Sequence, residues 1–189
     1  APERLARLDA GHYQGRAWVS SKGLLAQRLA FDHRSEDAPN VYLRASHQLD
    51  LPAIAMGWAE SFDDIVFVLG EAFGQGIQDL GYGAVSASPS FRVFAVVVGN
   101  RFLDDAELEA LLAASPLERA PVLYRGPYSL ATVLAYTSGK ESVSGEQRHL
   151  REGVVVTPVR ERQDFEIGRA AVKSVSEEYL LRKGGTEFS

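Results

Sequence analysis

Two long apolar runs constrain the fold of this chain most strongly. The first, "DIVFVLGEAFG" (64–74), is continuously apolar, carries the carboxylate Glu71 and passes into a glycine-rich loop that reaches Gly83. The second, "FRVFAVVVG" (91–99), predicts a strand with Phe91, Val93, Ala95 and Val97 on one face and Arg92, Phe94, Val96 and Val98 on the other. Because buried strands need partners for their backbone groups, the chain is expected to build a sheet around these runs.

The remaining segments do not alternate regularly between helix and strand. Helices are predicted at 40–60 (broken near Pro52), 104–114, about 128–137 and 176–183, with short strands at 16–21 and 121–124 and two more within 151–185. The helix at 104–114 has Asp104 as N-cap and Glu107 at capping-box spacing. This irregular order predicts an α+β fold rather than a doubly wound sheet.

Composition places the chain among ordinary globular domains. It has 189 residues, 46% hydrophobic and 24% charged, which fits one domain with a proper core. Four histidines and no cysteine exclude a disulfide framework and a thiolate metal site, and they fit a reducing cytoplasm. The sequence contains no run of about 18 apolar residues, so no membrane-spanning segment is predicted. We therefore expect a cytoplasmic protein.

Charge is unevenly distributed along the chain. The net charge of −5 opposes a protein that coats nucleic acid by charge alone. Between Arg148 and Lys183, however, eight basic side chains stand against six acidic ones. Such a local basic surface is able to hold phosphates, although a solvated surface of mixed charge explains the counts equally well.

Several common site motifs are absent. Starting from Gly74, a GxGxxG dinucleotide loop would need glycine where Asp79 stands, and no helix pattern follows. The sequence contains no GxxxxGK[ST], HExxH or GxSxG motif, and the histidines have no metal-ligand spacing.

What remains is a set of charged residues beside apolar runs: Lys22, Glu71, Glu152 and Lys173. Together they fit a cleft that holds a polyanion and a metal ion, because carboxylates bind hard cations or sugar hydroxyls and lysines neutralise phosphate. Each of them alone is usually just a solvated strand end. Phe94 would offer an aromatic platform to a base, but its spacing alone favours a core residue.

Four segments resemble the motifs of ATP-dependent RNA ligases. They are "VLGEAFGQGIQDLGYG", "FRVF", "REGVVVTP" and "VKSVSEEYLLRKGGTEF", in family order, with 23 residues from Glu71 to Phe94 and 21 from Glu152 to Lys173. The resemblance runs from about Arg16 to Phe188, and is greatest to RNA-repair ligases whose adenylyltransferase domain is C-terminal and follows an OB-type module. It implies an α+β nucleotidyltransferase domain over 1–189, with antiparallel sheets lining a nucleotide cleft.

The resemblance also implies a role for each candidate residue. Glu152 would position Mg²⁺ or Mn²⁺ beside the α-phosphate of ATP, and Lys173 would bind that phosphate. Glu71 would hold the ribose hydroxyls, Phe94 would stack on adenine, and Lys22 would contact ribose or phosphate. Glu152 and Lys173 would thus be the catalytic residues, and all five would bind the cofactor.

The family reaction has three steps. AMP from ATP is attached to a lysine, passed to an RNA 5′-phosphate, and displaced by the RNA 3′-hydroxyl. Each step is phosphoryl-group chemistry carried out by positioning and electrostatics. The implied partner is nicked or broken RNA, including RNA in an RNA/DNA duplex, with no membrane and no protein partner.

Three departures from the family pattern stand in the sequence. Ala95 replaces an aspartate that many relatives carry after the stacking phenylalanine, and Val175 replaces a second lysine. The chain has no KxxG nucleophile lysine; "HYQG" (12–15) copies the spacing but lies too near Lys22, so a turn is expected there. We therefore expect an N-terminally truncated domain, without its first motif or OB-type module, that does not adenylylate itself.

Two other functions are consistent with these motifs. DNA-nick ligases and capping-type guanylyltransferases share the motif order but carry a C-terminal OB module, whereas 16 residues follow Lys173 here. The other alternative is a non-catalytic nucleotide- or RNA-binding domain that has lost its lysine.

Overall fold

A computed structural model describes residues 5–7, 16–31, 40–74, 89–143, 147 and 149–182. Its strands and helices, in chain order, are β1 (Leu5–Arg7), α1 (Lys22–Ala26), β2 (Leu29–Phe31), α2 (Val41–Gln48), α3 (Leu51–Phe62), β3 (Val66–Phe73), β4 (Ser90–Val98), β5 (Arg101–Phe102), α4 (Asp105–Ala113), α5 (Leu130–Thr137), β6 (Gly153–Val156), β7 (Gln163–Asp164), β8 (Gly168–Arg169), β9 (Val172–Val175) and α6 (Glu177–Leu180). All strand pairs in this part of the chain are antiparallel, so the α+β fold with antiparallel sheets is confirmed.

The two apolar runs form the central pair of strands. β3 and β4 pair from Val66 opposite Val98 to Phe73 opposite Ser90, and β5 extends the sheet on the other side of β4. The strands predicted at 64–74 and 91–99 are therefore confirmed.

A β-bulge shifts the pairing in the middle of β4. Ala95 lies opposite Leu69 and Val93 lies opposite Gly70, so Phe94 has no residue across from it. The extra residue reverses the alternation of side chains beyond it. As a result Val96 joins Val93 in the core, and the predicted faces of β4 are wrong after Phe94.

The core lies on one face of this sheet. Its buried residues come from β4, α4 and the segments flanking that helix: Val93, Val96, Leu103, Leu108, Leu112 and Leu117. Partly buried side chains of α3 and the turn before it, including Ile54 and Trp58, pack against them. α4 begins where the sequence predicts, with the Asp104–Glu107 capping box in place.

The helical region at 40–60 is broken as predicted, although the break precedes Pro52. Asp50 has φ 51° and separates α2 from α3. Pro52 lies within the first turn of α3, where its missing N–H would have had no intrahelical partner.

Two local strand predictions are wrong. Residues 121–124 form no strand; instead Arg119 bridges to Val93, since Val93 N–H donates to Glu118 O and Ala120 N–H donates to Val93 O. Residues 16–21 contribute only a single bridge, from Val19 to Phe31.

Two helix ends also differ from expectation. Lys22 begins α1, with Ser21 as its N-cap, instead of closing a strand. α6 ends at Leu180, earlier than the predicted 183. Gly184 and Gly185, most of the glycine-rich loop and the HYQG turn fall outside the described residues.

A second sheet, β6 paired with β9, holds the "REGVVV" and "AVKSV" segments side by side. α5 packs on both of these strands. The hairpin β7–β8 lies between them in sequence. Within the described residues, no helix has the length and apolar character needed to cross a membrane.

Candidate active site

An acid and a lysine meet where β6 and β9 lie side by side. Glu152 immediately precedes β6, and Lys173 is the second residue of β9. Lys173 Nζ donates to Glu152 Oε1 at 2.5 Å. The lysine side chain is 56% exposed and the glutamate 31%, so both remain accessible to a ligand. An ion pair this open to water adds little to folding stability.

Glu71 of β3 is electrostatically coupled to this pair. Partial burial raises the pKa of the Glu71 carboxyl, the negative charge of Glu152 raises it further, and Lys173 opposes both effects. The residue remains exposed, so the desolvation of its carboxyl is incomplete. Glu71, from the β3–β4–β5 sheet, therefore lies within electrostatic range of the Glu152–Lys173 pair at the β6–β9 sheet.

Phe94 is not a core residue. Its side chain is 48% exposed, and it sits at the bulge of β4. The ring borders a shallow cleft whose other wall includes Thr157, Pro158 and Arg169, from the segments that follow β6 and precede β9. Its exposure leaves the ring available to a ligand, which the core interpretation would not allow.

Lys22 is not joined to the other predicted site residues. It is exposed at the first position of α1. Among the described residues, no hydrogen bond or ion pair connects it with Glu71, Glu152 or Lys173. The local geometry therefore leaves the predicted role of Lys22 untested.

Gly153 allows the acid and the lysine to approach each other. A Cβ added at Gly153 would lie 2.1 Å from the backbone oxygen of Ser174 and 2.9 Å from Cα of Val175. Both atoms are backbone, so a side chain here would force β6 away from β9. The glycine after Glu152 is therefore a packing requirement of this strand pair.

We expect Gly153→Ala to destabilise the protein by about 1–3 kcal/mol, the usual cost of overpacking, and to separate Glu152 from Lys173. Gly57→Ala is the matched control, because nothing lies within 4 Å of a Cβ there. Gly57 is inside α3, so its replacement should stabilise by about 0.5–1 kcal/mol. Urea unfolding measures both changes; equal stability of the two variants would contradict the account.

The C-terminal end of α5 supports both strands of the pair. Arg151, which precedes Glu152 in sequence, donates from Nη1 to the carbonyl oxygen of Tyr136 at 2.6 Å. Ser174, which follows Lys173, has its Oγ 2.7 Å from Oγ1 of Thr137. These contacts tie the neighbours of the acid and of the lysine to one helix end, which fixes their spacing. Sequence reasoning missed them.

Because the pKa of Glu71 is raised in the folded protein, the free energy of unfolding should depend on pH. The folded protein holds this proton more tightly than the unfolded chain, whose ordinary value is 4.5. Stability from this group is therefore lost as the pH rises from 4.5 through the raised folded pKa. Glu71→Gln should raise the free energy of unfolding at neutral pH and lose that advantage in acid. Denaturant titrations across this range would contradict the prediction if the difference were independent of pH.

The carboxylate of Glu152 suits a divalent cation that arrives with phosphate. Mg²⁺ is commonly held by one or two carboxylates together with substrate phosphate oxygens. Within the described ranges, no group of three His, Cys, Asp or Glu side chains forms a metal site of its own. The donor set therefore suits a metal–nucleotide complex better than a metal held by protein alone.

Comparison with known proteins identifies a family match. The family model described as RNA ligase matches residues 11–175. No curated protein matches the chain in sequence.

Solved structures share the fold. A mutant of Naegleria gruberi RNA ligase with AMP and Mn superposes with a TM-score of 0.60 at 18% identity, covering 81% of this chain and 43% of that one. A second mutant with ATP and Mn gives the same values, and the ligase with PPi gives a TM-score of 0.59. The chain thus spans less than half the length of these ligases.

Proposed function

Because the chain belongs to the RNA ligase family, we propose that residues 1–189 are the adenylyltransferase domain of an ATP-dependent RNA ligase. The observation that carries this proposal is the exposed ion pair of Glu152 and Lys173, with Glu71 of the other sheet within its electrostatic range. Two acids and a cation arranged in this way suit a ribose, a metal-bound phosphate and the charge on that phosphate.

Lys173 and Glu152 exchange partners when the nucleotide binds. In the free protein the ammonium of Lys173 donates to Glu152. An α-phosphate oxygen takes over this hydrogen bond, and the carboxylate of Glu152 is then available to a Mg²⁺ or Mn²⁺ ion. The metal neutralises phosphate charge when bound. Lys173 stabilises the charge that develops on the phosphate oxygens during transfer.

Glu71 and Phe94 hold the nucleoside. The carboxylate of Glu71 accepts hydrogen bonds from the ribose hydroxyls. Because this carboxylate is partly desolvated, each of these hydrogen bonds is stronger than it would be in water. The exposed ring of Phe94 stacks on adenine. Lys22 contacts ribose or phosphate from α1. Naegleria gruberi RNA ligase, which shares the fold, has been solved with ATP and Mn and with PPi, which supports nucleotide binding as the proposed role of this domain.

The proposed reaction seals RNA ends. A lysine amine attacks the α-phosphorus of ATP and pyrophosphate leaves. The RNA 5′-phosphate then attacks the lysine adenylate and releases the lysine. Finally the RNA 3′-hydroxyl attacks the activated phosphate, AMP leaves and a phosphodiester forms. No KxxG lysine occurs in these 189 residues, so the nucleophile is proposed to be a lysine outside them.

A second candidate is a non-catalytic domain that binds nucleotide or RNA. The observations that favour it are the missing KxxG lysine and the apolar residues Ala95 and Val175 at positions where many relatives carry charge.

The two candidates differ in the last step, which needs no lysine nucleophile. RNA already carrying a 5′-adenylate, mixed with a 3′-hydroxyl strand and Mn²⁺, should be joined by the chain with release of AMP. Glu152→Ala and Lys173→Ala should lose this activity. ATP binding without any joining would favour the non-catalytic candidate, and failure to bind either ATP or RNA would contradict both.

Phe94→Leu should weaken ATP binding roughly five- to 100-fold, because base–aromatic stacking contributes about 1–3 kcal/mol. The melting temperature should change little, since the ring is exposed. Phe91→Leu is the control. Phe91 packs against the core, so its replacement should lower the melting temperature without changing the affinity for ATP. A large melting loss in Phe94→Leu with unchanged affinity would contradict the stacking role.

A further inference from the structure

The β7–β8 hairpin presents a fully exposed aromatic side chain on a fixed turn. Phe165 is 103% exposed at the tip, and Ile167 beside it is 64% exposed. The turn is held by Asp164, whose Oδ1 accepts the N–H groups of Glu166 at 2.9 Å and Ile167 at 3.2 Å. Folding gains nothing from a phenylalanine in this position, since burial is what makes such a side chain stabilising.

The base of the hairpin is anchored, so its tip has a fixed position. Glu161 pairs with Arg169 across the two strands, and Glu161 N–H donates to Asp104 Oδ1 at 2.8 Å. The guanidinium of Arg169 lies 4.1 Å above the ring of Phe102. These contacts attach the hairpin to the start of α4 and to β5, leaving only the turn projecting.

The base of the hairpin lies at the cleft that Phe94 borders. Its residues Glu161 and Arg169 line this cleft together with Phe94. The segment also leaves β6, which follows Glu152, and returns to β9, which carries Lys173. The hairpin therefore extends from the cleft beside the residue that is proposed to stack on adenine.

Two exposed arginines lie just before β7, on the segment that leads to the aromatic tip. Arg160 and Arg162 are exposed, and neither forms an ion pair with any of the described residues. Of the two acids at the tip, Asp164 is engaged in the turn, whose hydrogen bonds lower its pKa, while Glu166 is exposed. An exposed aromatic ring beside arginines is the combination that binds unpaired nucleotides, the ring stacking on a base and the cations meeting phosphates.

We propose that the β7–β8 hairpin is an RNA-binding element, in which Phe165 stacks on an unpaired base near the end to be joined and Arg160 and Arg162 contact the adjoining phosphates. This inference rests on the proposed function and adds a contact to RNA outside the nucleotide site.

The test is the affinity of the chain for a 5′-phosphorylated single-stranded RNA, measured by fluorescence anisotropy. Phe165→Ala should bind roughly tenfold more weakly, and Phe165→Trp should restore binding. Tyr128→Ala is the control, because Tyr128 is 70% exposed on a different element. The double variant Arg160→Gln, Arg162→Gln should reduce the salt dependence of binding, by about 0.7 in the slope of log K against log salt for each lost phosphate contact.

Parallel titration with ATP separates this inference from the proposed function. The hairpin variants should bind ATP as the parent does and melt at the same temperature. If the parent binds RNA and Phe165→Ala binds it equally well, or loses no more than Tyr128→Ala, the hairpin inference is overturned while the proposed function stands. If the parent binds ATP but not RNA, the hairpin inference is again overturned. If the parent binds neither, both are overturned.

Discussion

Lys173→Met is expected to lower the affinity for ATP roughly ten- to 100-fold. A hydrogen bond to a charged group contributes about 1.5–3 kcal/mol, and methionine keeps the apolar stem while removing the ammonium. The loss also leaves Glu152 facing the phosphate without its cation. The melting temperature should hardly change, because the pair is exposed. Calorimetric titration with ATP and Mn²⁺ measures the affinity.

Two other lysines provide comparisons for this variant. Lys140 is exposed and has no predicted role, so Lys140→Met should bind ATP as the parent does. Lys22→Met should lose less affinity than Lys173→Met, since none of the described contacts links Lys22 to the site. An equal loss in all three variants would indicate a general charge effect and contradict the role of Lys173.

No covalent adenylate should form when the chain is incubated with labelled ATP and Mn²⁺ or Mg²⁺. The attacking amine must be free to reach the α-phosphorus, whereas Lys173 forms an ion pair with Glu152. Neither Lys22 nor any other lysine of the chain is followed by glycine at the KxxG spacing. Label that is acid-labile and base-stable reports a lysine adenylate, and its appearance would make one of these lysines the nucleophile.

A longer form of the protein provides the positive control. If it carries a KxxG lysine, it should become labelled under the same conditions and lose the label when that lysine is replaced by alanine. Labelling that survives this replacement would contradict the proposed chemistry.

The central strands could be predicted from the sequence, but the faces of β4 could not. Apolar runs at 64–74 and 91–99 fixed the position of β3 and β4, because few other elements bury such runs. The bulge at Phe94 depends on the register with β3, set by pairing between segments that are distant in sequence. A regular alternation therefore assigned Ala95 and Val97 to the wrong face.

The candidate site shows the same division. The order of the motifs predicted Glu71, Glu152 and Lys173; the structure pairs the last two and leaves Glu71 within their electrostatic range. The contact of Thr137 with Ser174 joins residues 37 apart. Threonine and serine are common on helix ends and strands, so nothing in their spacing signals this support. It becomes visible only when α5 is packed against β9.

A double-mutant cycle on ATP affinity tests most directly whether Glu71 and Lys173 belong to one nucleotide site. Glu71→Ala, Lys173→Ala and the double variant are titrated calorimetrically with ATP and Mn²⁺ beside the parent. Each single change should weaken ATP binding. The change in binding free energy of the double variant should differ from the sum of the two single changes by about 0.5–3 kcal/mol, as for residues that share a partner. If both single variants bind ATP as tightly as the parent, the site does not lie between β3 and the β6–β9 pair.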